Sequence, residues 1–256
     1  MALRIASPIV GEVAGAAREA SAFPRRLGLI VPSSNTVAEP DFTRSVPGGV
    51  TVHTARAYLE ETTASAERAM LESFVPRAAA DLATANMHAI VFSCTSAAAL
   101  LGKAGEERFV EGLEESGGAP VISTNEAVGR VLGRYGDARV AVVTPYIEEL
   151  NVAIAGTLTE RGVSVRSIVG MSLVDNISIG RVRPDEIVAF VKQHADPREF
   201  DVLFVSCTNL RGMESRETLE DRLERPVVTS NSAALTIALE VLEGSTDVRR
   251  SADHVP

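Results

Sequence analysis

The two halves of the 256-residue chain carry the same motifs in the same order, and this repeat limits the possible folds more than any other feature. The tripeptide Ser-Cys-Thr occurs twice, with its cysteines at Cys94 and Cys207, 113 residues apart. The same separation relates Pro32 to Pro145, each of which follows an apolar run. Several matches in one order at one separation indicate an internal duplication. We therefore expect two similar lobes related by a pseudo-two-fold axis.

Short apolar runs alternate with helix-compatible segments along the chain. Runs such as AIVFS and VLFVS are apolar at almost every position, which is typical of parallel strands covered on both faces. The expected strands are Leu27–Val31, Val50–Ala55, Ala89–Ser93, Pro120–Ser123, Arg139–Thr144, Val163–Val169, Val202–Ser206 and Pro226–Thr229. The expected helices are Ala64–Asn86, Gly105–Glu115, Glu126–Tyr135, Tyr146–Arg161, Arg183–His194, Glu214–Leu223 and Ser232–Leu242.

Together, the repeat and the alternating elements predict an α/β protein of two pseudo-symmetric Rossmann-like lobes. Each lobe is expected to have a four-stranded parallel sheet flanked by helices. We assign residues 25–124, together with a C-terminal helix at about residues 231–243, to the first lobe. Residues 125–230 form the second lobe in this assignment. A (β/α)₈ barrel is the second choice, because eight strands alternate with helices.

Composition and missing motifs narrow the classes of function. A formal net charge of −9 without a basic run argues against nucleic acid or an anionic membrane as partner. No apolar stretch reaches the roughly 18 residues of a membrane helix, and the N-terminus does not read as a secretory signal, so we expect a cytoplasmic protein. No nucleotide-binding or zinc motif occurs, and neither Lys103 nor Lys192 is placed to hold pyridoxal phosphate. We therefore expect no cofactor and no metal.

The two cysteines follow strands that are expected to be equivalent in the two lobes. In open parallel sheets, ligands bind beyond the carboxyl ends of the strands, so we expect Cys94 and Cys207 to face one cleft from opposite sides. A helix N-terminus after each cysteine would lower the pKa of the thiol and make it a nucleophile or a base. Two free cysteines that merely pack in the core are the alternative. A structural disulfide is disfavoured by the cytoplasmic prediction.

Short polar side chains near these strand ends are candidates for binding a carboxylate. Ser34 and Asn35 lie in the loop at residues 33–36, where backbone N–H groups and short side chains can hold an anion, although a plain helix cap fits equally. Tyr146 lies in the symmetry-related loop, where its hydroxyl can donate to a substrate oxygen or its ring can pack at the surface. Asn176 is expected in a polar loop, where a turn residue is the default interpretation.

These motifs resemble the aspartate/glutamate racemase superfamily and, within it, most closely the maleate cis–trans isomerase family. The similarity covers about residues 25–243. It is carried by LGLIVPSSNT, VFSCTSA, VVTPYIEELN, DNISIGR and VSCTNLRG. Arylmalonate decarboxylases are also similar, but they keep only the cysteine of the second half. The presence of both cysteines therefore argues against decarboxylation.

The resemblance implies a cofactor-independent enzyme that converts maleate, a small dicarboxylate, to fumarate. It makes Cys94 the nucleophile, which forms a succinyl-cysteine-type intermediate, and Cys207 the acid and base for the neighbouring carbon. It also implies that amide, hydroxyl and backbone N–H groups hold the carboxylates and the charge that develops on the intermediate. The substrate-binding candidates are Ser34, Asn35, Thr95, Tyr146, Asn176 and Thr208.

Other functions remain open on the sequence. A two-cysteine racemase or epimerase would use one thiol on each face of a carbon next to a carboxylate. A non-catalytic small-acid binding protein would use the same cleft without chemistry. A redox switch would require Cys94 and Cys207 to form a reversible disulfide. A homodimer or higher homo-oligomer is expected because most soluble oligomers are symmetric assemblies of one chain.

Overall fold

Two four-stranded parallel sheets form the frame of the protein. The computed structural model describes residues 24–252, with side chains through residue 244. The strands are β1 (Arg25–Pro32), β2 (Val50–Ala57), β3 (Ala89–Phe92), β4 (Val121–Ser123), β5 (Arg139–Thr144), β6 (Ser164–Gly170), β7 (Val202–Val205) and β8 (Val227–Thr229). The strand order is β2-β1-β3-β4 in one sheet and β6-β5-β7-β8 in the other. The identical order confirms the predicted fold class, and two separate open sheets exclude the barrel.

Helices flank both sheets, mostly where the sequence predicts them. They are α1 (Ala38–Ser45), α2 (Ala64–Ser73), α3 (Val75–Ala83), α4 (Thr95–Ala99), α5 (Gly102–Gly117), α6 (Thr124–Gly133), α7 (Glu148–Glu160), α8 (Asn176–Arg181), α9 (Pro184–His194), α10 (Gly212–Leu223) and α11 (Ser230–Ala252). The single helix expected over Ala64–Asn86 is broken at Phe74, because Pro76 has no N–H group and is suited to the first turn of a new helix. Within residues 24–252, no helix combines the length and hydropathy that a bilayer crossing needs.

The C-terminal helix α11 returns to the first sheet. Its residues Ala234, Ile237 and Ala238 are buried in the same apolar cluster as Leu29 of β1 and Val91 of β3. The helix runs to Ala252 and is therefore longer than expected. The lobe boundaries at 124/125 and 230/231 stay a prediction, which this packing supports.

A buried ion pair joins the two halves of the chain. The guanidinium of Arg161, which follows α7, donates to Glu106 Oε2 of α5 over 2.7 Å, and the two side chains are 11% and 1% exposed. Glu106 also accepts hydrogen bonds from Asn125 Nδ2 at 2.8 Å and from the backbone N–H of Glu126 at 3.0 Å. Removal of the carboxylate would leave a nearly buried guanidinium without its counter-charge.

We expect Glu106→Ala to lower the free energy of unfolding by about 3 kcal/mol, because breaking a buried pair strands the remaining charge. Urea unfolding followed by circular dichroism measures this change. Glu107→Ala is the matched control, since Glu107 is exposed on the same helix. Equal unfolding free energies for the two variants would contradict the assigned role of the ion pair.

Candidate active site

The two cysteines occupy equivalent positions, two residues after β3 and β7. Cys94 is the N-terminal cap residue of α4. Cys207 adopts a φ of 101°, a conformation that non-glycine residues rarely accept and that holds the turn after β7 in a fixed geometry. Both are free thiols, and the charge on Cys207 raises the pKa of Cys94. The two thiols are therefore close enough to interact electrostatically.

Burial dominates the ionisation of both thiols. Cys94 is 5% exposed and Cys207 is 6% exposed. Desolvation raises the pKa of Cys207 to about 11 and the pKa of Cys94 well above its ordinary value of 9.0. Backbone N–H groups donate hydrogen bonds to both thiols, from Ala97 to Cys94 and from Asn209 and Leu210 to Cys207. These bonds lower the two pKa values, but by less than burial raises them. The expected net lowering of the thiol pKa values is therefore wrong for this buried arrangement.

Tyr146 is buried beside the second thiol. A hydrogen bond between its hydroxyl and the Cys207 thiol lowers the pKa of Cys207. Burial and the nearby thiols in turn raise the pKa of Tyr146 well above its ordinary value of 10.0. The alternative of an aromatic ring packed at the protein surface is wrong.

Asn35 connects the loop after β1 to the turn after β7. Its Oδ1 accepts from the backbone N–H groups of Val37 and Ala38, both at 3.0 Å, so the residue does act as a helix cap. Its Nδ2 donates to Thr208 Oγ1 at 3.0 Å, and that hydroxyl donates to the carbonyl of Ser93 at 3.0 Å. The cap interpretation is thus only part of the role of Asn35, because the amide also joins the two cysteine turns.

Ser34 and Asn176 form a second connection between the halves. Asn176 Nδ2 donates to Ser34 Oγ at 2.8 Å. Asn209 Nδ2 donates to Asn176 Oδ1 at 3.0 Å, and Asn209 Oδ1 accepts from the backbone N–H of Thr36 at 2.9 Å. The sequence predicts Asn176 in a loop, but in the structure this residue begins helix α8. The side chain of Asp175 caps that helix.

The start of α11 holds both cysteine turns together. Thr95 Oγ1 donates to Ser230 Oγ at 2.9 Å, and Ser230 Oγ accepts from the backbone N–H of Cys207 at 3.0 Å. Sequence reasoning did not select Ser230 or Asn209. The signal was available, because Asn209 is part of the Cys-Thr-Asn loop and Ser230 lies in PVVTSN, which repeats PVISTN of the first half.

Glu67 is a further residue near the thiols that the sequence does not single out. It lies on α2 and is fully buried, with its carboxyl next to the side chain of Ser96 and close enough to Cys94 to raise the pKa of that thiol. A glutamate in a helix with many charged residues gives no sequence signal, because such residues usually face solvent.

The eight candidate residues form one connected cluster in the structure. They are Ser34, Asn35, Cys94, Thr95, Tyr146, Asn176, Cys207 and Thr208. Among residues 24–244, no group of three or more His, Cys, Asp or Glu side chains is arranged to hold a metal ion. The arrangement places two thiols among amides, hydroxyls and backbone N–H groups, which are donors suited to carboxylate oxygens.

A protein-family model described as Arylmalonate decarboxylase matches residues 27–252 of the chain. The chain belongs to the arylmalonate decarboxylase family. Curated relatives include the maleate isomerase of Nocardia farcinica, 28% identical over 86% of this chain and 90% of that protein. The arylmalonate decarboxylase of Bordetella bronchiseptica is 25% identical over 87% of this chain and 92% of its own length. These relatives are enzymes, which makes the chain an enzyme of this family.

Solved structures of the arylmalonate decarboxylase family have the same fold. A mutant of the Nocardia farcinica maleate cis–trans isomerase with a covalently bound succinylcysteine intermediate superimposes with a TM-score of 0.79. It is 25% identical and covers 86% of this chain and 94% of that chain. A double mutant of arylmalonate decarboxylase gives the same TM-score, 0.79, at 25% identity, with coverage of 86% and 93%. The resemblance to maleate isomerases seen in the motifs is confirmed.

Proposed function

We propose that the protein is a cofactor-independent cis–trans isomerase that converts maleate to fumarate. The observation that carries this proposal is the pair of free, interacting thiols, Cys94 and Cys207, from equivalent strands of two duplicated sheets. Two thiols are what an addition and elimination with proton transfer requires, one as nucleophile and one as acid and base. The maleate isomerases among the relatives support the same choice of substrate.

In the proposed reaction, the thiolate of Cys94 adds to one olefinic carbon and forms a C–S bond. The π electrons move to the neighbouring carbon, which takes the proton of the Cys207 thiol. The former double bond is now a single bond, so the two halves of the substrate can rotate. The thiolate of Cys207 then removes a proton from that carbon, the double bond re-forms and the C–S bond breaks. Fumarate is released, and both sulfurs return to their starting states.

The polar cluster supplies the proposed grip on the two carboxylates. Asn35, Asn176 and Ser34 offer amide and hydroxyl donors, and the turns at Thr95 and Thr208 offer backbone N–H groups. The support for these roles is the set of hydrogen bonds that join the loops of the two halves, because these bonds fix the donors before a substrate binds. Fixed donors stabilise developing negative charge without reorganisation.

We expect Tyr146→Phe to lower kcat by about 10- to 100-fold, because a hydrogen bond to a charged group contributes about 1.5–3 kcal/mol. Loss of the hydroxyl also raises the pKa of Cys207, so the dependence of kcat on pH shifts to higher pH. Tyr135→Phe is the control, since Tyr135 is 40% exposed. An unchanged pH profile in Tyr146→Phe would contradict a role for the Tyr146 hydroxyl at Cys207.

Decarboxylation is the second candidate, because the matching family model and one curated relative are named for arylmalonate decarboxylase. The two-cysteine racemase and the non-catalytic binding protein stay as alternatives. The enzymes among these candidates form different products from different acids, and the binding protein forms none, so a panel of substrates distinguishes them.

Proton NMR of maleate incubated with the purified protein tests the proposal. We expect the fumarate signal to grow as the maleate signal falls. The same preparation is given phenylmalonate, with release of carbon dioxide as the readout, and L-aspartate, with loss of optical rotation as the readout. Turnover of phenylmalonate or aspartate without fumarate formation would replace the proposal by decarboxylation or racemisation. Binding of maleate without any turnover would favour the non-catalytic protein.

A further inference from the structure

The carboxyl group of Glu67 completes a chain of three groups that ends at the proposed nucleophile. Ser96 Oγ donates to Glu67 Oε1 at 2.5 Å. The same Ser96 Oγ lies 3.9 Å from Cys94 Sγ, within reach of a hydrogen bond to sulfur. All three side chains are buried. Thiol, hydroxyl and carboxyl are therefore connected without an intervening water.

The second oxygen of Glu67 is unsatisfied. Among the described residues, none forms a hydrogen bond with Oε2, although this atom is buried. A buried carboxylate without full partners is costly, so a purely structural role would be served better by glutamine or an apolar residue. An ionisable group kept at such a position is a candidate for proton transfer.

The surroundings of Glu67 favour its protonated form near neutral pH. Burial raises the pKa of Glu67 to about 8, the hydrogen bond from Ser96 opposes this, and the charge of Glu149 on α7 adds to it. The other titratable groups that interact with Glu67 are Cys94, Cys207 and Tyr146, each of which becomes negative on ionisation. A carboxyl with a pKa close to the working pH can both accept and return a proton.

We propose that Glu67 is the base that ionises Cys94, acting through the hydroxyl of Ser96. In the ionised form of Glu67, which is populated as the pH approaches 8, the thiol proton of Cys94 moves to Ser96 Oγ while the hydroxyl proton of Ser96 moves to Glu67 Oε1. Cys94 becomes a thiolate and Glu67 a neutral acid, so the number of protons and the total charge are unchanged. The proton returns by the same path when Cys94 is released. The inference deepens the proposed function and rests on it only in naming Cys94 as the nucleophile.

A purely electrostatic role for Glu67 predicts the opposite effect of its removal. The charge of Glu67 raises the pKa of Cys94, so a neutral residue at this position would make the thiolate easier to form. A relay predicts that the same neutral residue makes the thiolate harder to form, because the proton acceptor is lost. The direction of change in Cys94 reactivity therefore distinguishes the two roles.

The test measures the alkylation rate of Cys94 by iodoacetamide in the Cys207→Ser protein, in which Cys94 is the only thiol. Peptide mass analysis follows the modification from about pH 6 to about pH 10. We expect the rate to rise through an inflection near pH 8, where Glu67 loses its proton. We expect Glu67→Gln to remove this inflection and to react about 10-fold more slowly at pH 8, since a positioned base contributes at least this much.

Two further variants make the outcome decisive. Ser96→Ala keeps the carboxyl and removes the connection, so it is expected to slow alkylation as Glu67→Gln does, and it carries the test if Glu67→Gln fails to fold. Glu72→Gln, an exposed change on the same helix, is expected to leave the rate unchanged.

Faster or equal alkylation in Glu67→Gln or Ser96→Ala would overturn the relay, as would an unreactive Cys94 at every pH in the parent protein. Because the reagent needs no substrate, failure of this test leaves the isomerase proposal standing. Absence of fumarate formation, conversely, leaves the relay to be judged by alkylation alone.

Discussion

Replacing either Cys94 or Cys207 by alanine is expected to reduce the rate of maleate turnover by about 10⁴-fold or more. Without Cys94 no C–S bond forms, and the substrate keeps a double bond that cannot rotate. Without Cys207 the neighbouring carbon has no proton donor on the face opposite Cys94. Because the two steps belong to one mechanism, the double variant is expected to be no less active than the single variants. Fumarate formation followed by ultraviolet absorbance or proton NMR measures these rates.

The cysteine variants also separate catalysis from binding. Thermal denaturation monitors whether each variant remains folded, and a maleate-dependent shift of the melting temperature reports binding. If the protein merely binds a small acid, both variants keep the shift and the parent shows no turnover. Substantial turnover in either single variant would contradict the assignment of two essential thiols.

A second large effect is expected in the pH dependence of stability. The pKa of Glu67 rises from 4.5 to about 8 on folding, chiefly through burial. Between these values the folded state binds more protons than the unfolded state, so the free energy of unfolding falls as pH increases. Each unit of pKa shift corresponds to about 1.4 kcal/mol, which gives a loss of about 5 kcal/mol across the window.

Glu67→Gln removes this titration, because glutamine stays neutral at every pH. We expect the variant to match the parent protein near pH 4.5 and to exceed it in unfolding free energy above pH 8. Urea unfolding at several pH values measures the difference. Glu72→Gln is again the control and is expected to keep the slope of the parent protein. A constant difference between parent and Glu67→Gln across the pH range would contradict a raised pKa of Glu67 in the folded state.

The two sheets could be predicted from the sequence because buried strands have a simple apolar pattern in the sequence. Strands such as β3 and β7 are covered on both faces and therefore read as continuous apolar runs. The repeat then assigned each strand a counterpart, which the two identical sheet orders confirm. No bounds could be predicted for the short helices α1, α4 and α8, since elements of eight residues or fewer carry little periodicity.

The candidate site was predictable only as far as the repeat and the motifs reach. They select Cys94, Cys207 and their polar neighbours, which the structure gathers into one cluster. They do not select Glu67, because its importance depends on burial beside Ser96, and burial of a single helical glutamate is a tertiary property. The direction of the thiol pKa shifts could not be predicted from the sequence either, since it depends on whether desolvation outweighs the local hydrogen bonds.

Intact-mass analysis of Cys207→Ser mixed with maleate tests the central claim most directly. Without the second thiol, the proposed intermediate forms slowly and has no efficient route onward. We predict an increase of about 116 Da, the mass of one maleic acid, located by peptide mapping on Cys94. Steady conversion of maleate to fumarate by this variant with no adduct, or by a protein whose Cys94 has been replaced, would contradict covalent isomerisation between two facing thiols.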